Sequence, residues 1–355
     1  MTLQTIADEV GVSRMTVSNA FSRPDQLSAD LRDRILDTAT RLGYTGPDPA
    51  ARALAKGSAG TIGLLFTDTL EAAFLDEISA RLLSAVSTEL SNSGRGMTLL
   101  DSKEHGALVP ARDIPMDGAL VYNCGATSSA VDWLRRRKVP LVFVDQEPVP
   151  GYPCLNVDDQ GGARDAAQHI VDLGHRKVAL VAPVPGDPTA PIDLDAVHHS
   201  SFTVQRRATG WLEPLGRVGV TPLLVNADAS TEECGRTAAR VLLGLPAEQR
   251  PTAVLAYSDR IALGVIRELQ EAGFDVPGDV SVVGFDDANF AALARPALTT
   301  VRQDVERKGT EATALLEAAI ESRAAQQRTD HRLLPTELVV RASTGPAISG
   351  TTVPS

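Results

Sequence analysis

Apolar positions recur every three to four residues over the first 45 residues, then give way to short apolar runs separated by amphipathic stretches. Ile6, Ala7 and Val10 lie at helical spacing and lead into Gly11, which suits a tight turn. Ser13 can cap a second helix, with Met15 to Phe21 following. After a loop containing Pro24 and Asp25, a third helix is predicted from about Ser28 to Leu42. Leu31, Ile35, Leu36, Ala39 and Leu42 share one face of it, and Gly43 ends it.

Residues 46–60, GPDPAARALAKGSAG, have a different character: small, Ala-rich and flanked by Gly and Pro. They predict a linker with one short helix, Asp48 as its N-cap and Pro49 as its first residue. A helix of so few residues is not stable alone in water and needs support from a partner.

From Thr61 onward the pattern alternates. TIGLLF, GMTLL, GALVY, PLVFV, KVALVA, TPLLV, TAVLAY and VSVVGF read as strands, with amphipathic helices at 75–92, 128–138, 159–173, 230–243 and 258–272. Such alternation indicates parallel, doubly wound sheets. The strands are too many over too long a span for one compact sheet, so two α/β lobes with a cleft between them are expected, with ligands at the carboxyl ends of strands.

Charge sharpens this division. The chain of 355 residues has a formal net charge of -11, which taken alone argues against nucleic acid. Residues 1–60, however, hold seven bases (Arg14, Arg23, Arg32, Arg34, Arg41, Arg52, Lys56) and seven acids (Asp8, Glu9, Asp25, Asp30, Asp33, Asp37, Asp48). That segment is neutral and the remainder carries the whole negative charge, as a separate N-terminal module would produce. Cys124, Cys154 and Cys234 are far apart and lack metal-ligand spacing, so they read as ordinary residues of a reducing compartment. MTLQTIADEVG has neither the basic nor the apolar region of a secretion signal, and no apolar run approaches the roughly 20 residues of a membrane span. A cytoplasmic location is expected.

Helix, four-residue turn, helix is the geometry that seats a second helix in the DNA major groove. TIADEVGVSRMTVSNAF fits it, with Gly11 at the turn, Ala7 permitting close helix contact, and Val12 and Val17 facing inward. Arg14, Met15, Ser18 and Asn19 then face outward. Arg pairs with guanine, Asn with adenine, and Met can touch a thymine methyl. Thr2, Ser13, Thr16 and Ser18 are candidates for phosphate contacts, which position without reading sequence. The alternative is a small helical bundle with a polar face.

TLQTIADEVGVSRMTVSNAF, followed by LSADLRDRILDTATRLGYTGPDPAARALA, strongly resembles the N-terminal domain of the LacI family of transcriptional regulators. DLGHRKVALVA, SDRIALGVIREL, DVSVVGFDD and PALTTVRQD resemble landmarks of the family's effector domain, so the likeness covers nearly the whole chain. It implies that Arg14, Met15 and Asn19 read bases. It also implies that a hinge at about 48–56 orders on DNA, with Leu54 wedged into the minor groove and Ala51 near the groove floor. Such a wedge kinks DNA by unstacking a base step. The alternative for Leu54 is packing on its own domain.

By the same resemblance, a small effector sits between the lobes. Asp145 after PLVFV, Ser258 after TAVLAY and Asp286 after VSVVGF fall at strand ends, and Arg207 begins a helix in RRATGW. They match ligand-contacting positions of sugar-responsive relatives, and carboxylates with Arg suit vicinal hydroxyls. Phe74 could stack on the ligand, and Asn123 and Gln303 complete the candidate set. Asp259 or Asp286 as helix caps, and Phe74 as core, are the alternatives. One departure is APVPGDPTAPIDLDAVHHSSFTV, longer than the loop usual there. It is either a lid that adds Asp193, His198 or Phe202 to the cleft or a solvated loop. His198 and His199 lack further metal ligands in view.

The expected organisation is a helix-turn-helix domain at 1–46, a hinge at 47–60, a two-lobed, periplasmic-binding-protein-like domain at 61–343 and a disordered tail at 344–355. The expected protein is a homodimeric repressor of a pseudo-palindromic operator, controlled by a sugar or sugar derivative, with no cofactor, metal or membrane partner. The tail carries no leucine heptad that would tie dimers into a tetramer. The competing possibility is a stand-alone sugar-binding protein without a DNA role. A dinucleotide enzyme would need a Gly-rich turn after an early strand, which TIGLLFTDTLEAAF lacks, so no enzyme is expected.

Overall fold

The computed structural model describes residues 1–46, 48–66, 70–102, 109–123, 128–321 and 330–347. The side chains of residues 24, 49, 50, 51, 55 and 72 fall outside that description. The chain divides into two compact units, Met1–Gly60 and Thr61–Ser355.

In the first unit, α1 (Leu3–Val10), α2 (Arg14–Ser22) and α3 (Ala29–Arg41) close over Ile6, Ala7, Val17, Ala20, Ile35 and Ala39. The turn after α1 depends on Gly11, which takes φ 77° while its N–H bonds to the Ala7 carbonyl. An L side chain in that conformation would be strained. Phe21 and Tyr44 pack edge to face, with ring centroids 5.7 Å apart. α4 (Pro49–Lys56) follows, opening on proline, whose fixed φ and missing N–H cost nothing at a first helical position.

The second unit is built from β1 (Thr61–Phe66), α5 (Leu70–Leu75), α6 (Glu77–Asn92), β2 (Gly96–Asp101), α7 (Pro110–Asp113), β3 (Gly118–Tyr122), α8 (Ser129–Arg136), β4 (Leu141–Val144) and β5 (Cys154–Val157). It continues with α9 (Asp159–Asp172), β6 (Val178–Ala182), β7 (Pro191–Ile192), α10 (Phe202–Arg217), β8 (Leu223–Asn226), α11 (Glu232–Leu243), β9 (Ala253–Ala256), α12 (Asp259–Glu271) and β10 (Ser281–Val283). It ends with β11 (Thr300–Gln303), α13 (Val305–Glu321), β12 (His331–Leu334) and β13 (Thr336–Val339). One sheet runs β12-β5-β4-β3-β1-β2, all parallel. The other runs β10-β9-β6-β8-β7, parallel except for β7. β4, β5, β6 and β9 are buried at every residue, as strands covered by helices on both faces must be. These are two doubly wound lobes. The chain leaves the first after Val157, returns through β11 into α13 and β12, and crosses again at Leu334. β11 and β13 pair antiparallel where it does so.

Three expectations are corrected. RRATGW does not begin a helix: α10 starts at Phe202, and Arg207 sits within it, because Ser201 caps the helix by accepting from the Val204 N–H. The long loop is not fully solvated. It adds β7 to the edge of the second sheet and a short 3-10 turn at Leu194–His199 capped by Asp193, and it buries Val197. The tail does not begin at Thr344. His175 Nε2 bonds the Gly345 carbonyl at 3.0 Å, Gly345 N–H donates to Ser281 Oγ at 3.0 Å, and Ala347 N–H donates to the Leu173 carbonyl. Residues 348–355 lie outside the described residues.

Candidate functional site

The candidate DNA-reading face is set by two capped helix starts. Thr2 Oγ1 accepts from Thr5 N–H at 3.3 Å, and Ser13 Oγ accepts from Thr16 N–H at 3.0 Å while sharing a hydrogen bond with the Thr16 hydroxyl. A hydroxyl offers one donor and two acceptor sites, so these caps do not exhaust it. Arg14 is exposed, and Met15 is 69% exposed. Burial raises the Tyr44 hydroxyl pKa above its usual value, and the positive charge of Arg14 partly offsets this. Ser18 and Asn19 are half-buried, and Asn19 Nδ2 donates to Gln26 Oε1 at 3.3 Å. Reading a base with Asn19 therefore means exchanging that partner. Leu54 on α4 is 86% exposed, so it does not pack on its own domain. Ala51 lies outside the described side chains.

In the second unit, Asp145, Gln303, Asp286 and Arg207 join one buried polar chain that runs from lobe to lobe. Lys308 Nζ donates to Asp145 Oδ2 at 2.5 Å and to Gln303 Oε1 at 2.6 Å. Gln303 Nε2 donates to Asp286 Oδ1 at 2.7 Å. Arg207 lies 3.6 Å from Asp286 Oδ1, and its Nε donates to Asp159 Oδ1 at 2.8 Å. Its guanidinium also donates to the Tyr257 carbonyl and lies between the rings of Phe285 and Tyr257, 3.6 and 4.4 Å from their centroids. Asp145, Asn123 and Asp286 take φ values of 54°, 48° and 120° just beyond their strands. Strain of about 1–3 kcal/mol per such residue persists only where the surroundings over-determine it, as at binding sites.

Burial raises three carboxyls of this region, Asp286, Asp159 and Asp259. It raises Asp286 to about 7 against the opposing charge of Arg207. It raises Asp159 too, again opposed by Arg207. Asp259 is pushed well above the usual carboxylate range by burial and by the charge of Asp286. Arg207 keeps its proton despite burial, because Asp159, Tyr257 and Asp286 surround it.

Other candidates stand apart from the polar chain. Ser258 is the N-cap of α12 and shares a 2.6 Å hydrogen bond with the Ser230 hydroxyl. Asp259 is the first residue of α12 rather than its cap. It accepts from Thr300 Oγ1 at 2.5 Å and from Ala288 N–H at 2.7 Å. Phe74 is 60% exposed on α5 and is not core. Asn123 is half-buried, its N–H bonded to the Val144 carbonyl. Asp193 and His198 are exposed and Phe202 is half-buried. The segment reaches the site instead through Thr203, whose hydroxyl bonds Tyr257 Oη at 2.9 Å. Sequence reasoning missed Lys308, Asp159, Tyr257 and Thr203. The lobes are also tied by Asn289 N–H donating to Glu77 Oε1 at 2.8 Å and by Arg260 bonding the Leu75 carbonyl.

Among the described residues no cluster of three or more His, Cys, Asp or Glu is placed to hold a metal, and no helix is long and apolar enough to cross a membrane. Burial pushes the Cys154 thiol up to about 12, far from thiolate reactivity at neutral pH.

Residues 2–46 match the family of bacterial regulatory proteins of the lacI type, and residues 167–344 match the periplasmic binding protein-like domain. An HTH-type transcriptional regulator of Mycolicibacterium smegmatis is 36% identical over 333 residues, covering 89% of each chain. The chain belongs to the LacI family. Among solved structures, the lac repressor dimer bound to operator and the anti-inducer ONPF superposes with a TM-score of 0.75 at 25% identity, covering 97% of this chain and 99% of that one. The complex of the transcriptional regulator CelR with cellobiose gives 0.65 at 26%, with the same coverage. This LacI-family protein is therefore a DNA-binding transcriptional regulator and not an enzyme. Its N-terminal match sets aside the possibility of a binding protein without a DNA role.

Proposed function

We propose that this regulator is a cytoplasmic, homodimeric repressor whose grip on a pseudo-palindromic operator is controlled by a sugar or sugar derivative bound between the lobes. Thr2, Ser13, Thr16 and Ser18 hold phosphates, and Arg14, Met15 and Asn19 read base edges. Leu54, with Ala51 beside it, wedges the minor groove as the hinge orders. Arg207, Asp286, Asp145 and Gln303 anchor the effector, and Asn123, Ser258 and Phe74 border it.

The observation that carries this proposal is the buried polar chain from Asp145 through Lys308, Gln303 and Asp286 to Arg207. It couples the two lobes through groups that bind hydroxyls well. A ligand entering there exchanges partners with both lobes at once and shifts their arrangement. By linkage it then alters operator affinity. The lac repressor dimer on its operator and CelR with cellobiose are the precedents among related folds.

The test is capture of genomic fragments by the purified protein, repeated with candidate sugars and sugar phosphates. Recovery of a pseudo-palindrome released by one compound supports the proposal. Absence of any specific fragment in moderate salt, with or without those compounds, contradicts it.

A further inference from the structure

Lys308 is 1% exposed on α13, on the same stripe as Val305, Ala312, Leu315, Leu316 and Ala319. A buried ammonium is costly unless it is paired and hydrogen-bonded. Nζ finds Asp145 Oδ2 from one lobe and Gln303 Oε1 from the strand where the chain crosses back. Gln303 passes the contact on to Asp286.

Arg207 is likewise committed, to Asp159 and the Tyr257 carbonyl with Asp286 beside it. Both cations of this buried chain thus already face carboxylates. What is left open is an acceptor. Asp145 Oδ1 is buried and has no hydrogen-bond partner among the described residues. Buried polar atoms in native structures are nearly always satisfied, and an ionised carboxylate oxygen is satisfied only by a donor.

Resting on the ligand site proposed above, we infer that Lys308 is a positioning and specificity residue of that site. It fixes Asp145 so that Oδ1 accepts a hydroxyl hydrogen from a neutral polyhydroxylated ligand, and with both cations committed the site excludes phosphorylated and carboxylated sugars. Among the described residues an anion would find no cation outside these pairs, and it would stand beside the carboxyl groups of Asp145, Asp159 and Asp286. A neutral polyol brings the donor that Oδ1 lacks and needs no counter-charge.

The test is calorimetric titration of the full-length protein with neutral pentoses, hexoses, disaccharides and polyols, each beside its phosphate ester or uronic acid. Single-deoxy analogues of the tightest neutral binder are then compared on wild type, Lys308→Met and Lys308→Arg. The expected result is that a neutral compound binds and its anionic derivative binds at least about tenfold more weakly. One deoxy analogue loses roughly tenfold or more on wild type, because its absence leaves a buried acceptor unpaired. Lys308→Met binds parent and deoxy analogue within about twofold of each other, whereas Lys308→Arg keeps most of the discrimination.

Tighter binding of a phosphate ester or uronic acid than of its neutral parent overturns the inference, as does an unchanged deoxy penalty in Lys308→Met. The comparison of neutral with anionic ligands uses wild type alone and stands whether or not that variant folds. If no compound of the panel binds wild type, the sugar-ligand proposal itself fails and this inference falls with it.

Discussion

Arg207 Nε donates to Asp159 Oδ1 at 2.8 Å, joining the interior of α10 to the first residue of α9, with both side chains buried. Removing one partner of such a pair leaves a charge buried without compensation, which costs about 3–5 kcal/mol. Arg207→Ala is therefore expected to lower the urea midpoint of the second unit by a loss of that order and to abolish effector binding. Urea unfolding followed by circular dichroism checks the first, calorimetry the second. A change below about 1 kcal/mol would mean that water or a rearranged neighbour replaces the guanidinium.

Asp286 gives the protein a specific dependence on pH. Its carboxyl titrates near 3.8 when unperturbed and is raised to about 7 in the fold, chiefly by burial. Between those values the folded state holds more protons than the unfolded one. On this group's account, stability falls as pH rises from about 4 to about 7 and levels off above. Asp286→Asn should flatten that limb. Some slope should remain, because Asp259 is raised in the same sense. Urea midpoints measured across this range for both proteins decide it, and a parallel slope in the variant counts against the assignment.

How much of this was legible in the sequence depended on what each segment needs to fold. β1, β3, β4, β6 and β9 are apolar runs bounded by polar or turn residues and stand out by themselves. β11 (TVRQ) and β13 (TELV) do not. Each offers only a short alternation and becomes a strand by pairing with the other, more than 30 residues away. β5 (CLNV) hides because Asn156 interrupts its apolar run, and that side chain is satisfied by the backbone of Gln146 and by His331 on the neighbouring β12, neither of them legible locally.

The site follows the same logic. Asp145, Asp286 and Gln303 were visible as polar residues at strand ends or through the family resemblance. Lys308 was masked by its neighbours in RQDVERKGTEAT. Its place on the helical stripe of Val305, Ala312, Leu315 and Leu316 was the available signal, since a cation on an apolar stripe must have a buried partner. Asp159 gave no local signal, because its partner Arg207 lies 48 residues along the chain.

Gly264 sets how closely α11 and α12 can approach. A Cβ there would lie 2.0 Å from the Glu232 carbonyl oxygen and 2.9 Å from Arg236 N, both backbone atoms. Gly264→Ala should cost about 1–3 kcal/mol through forced separation of the helices. The check is a lowered thermal midpoint for the second unit with the helical signal of the first unit retained.

Leu54 is an apolar side chain held in water at 86% exposure, a position that gains only when another surface covers it. Leu54→Ala should weaken specific operator binding by roughly tenfold or more, from the lost burial of the side chain in the groove. Effector affinity and dimerisation should be nearly unchanged. Fluorescence anisotropy with operator and non-specific duplexes measures both terms. Equal operator affinity in variant and wild type would refute the hinge assignment.

On the proposed function, the effector and the operator act on one two-state equilibrium through the interlobe site. The most direct test is a reciprocal titration: operator affinity with and without saturating effector, and effector affinity with and without saturating operator. Both affinities are expected to fall by the same factor, between about 5- and 150-fold. Operator affinity that stays the same under saturating effector would contradict the proposed function.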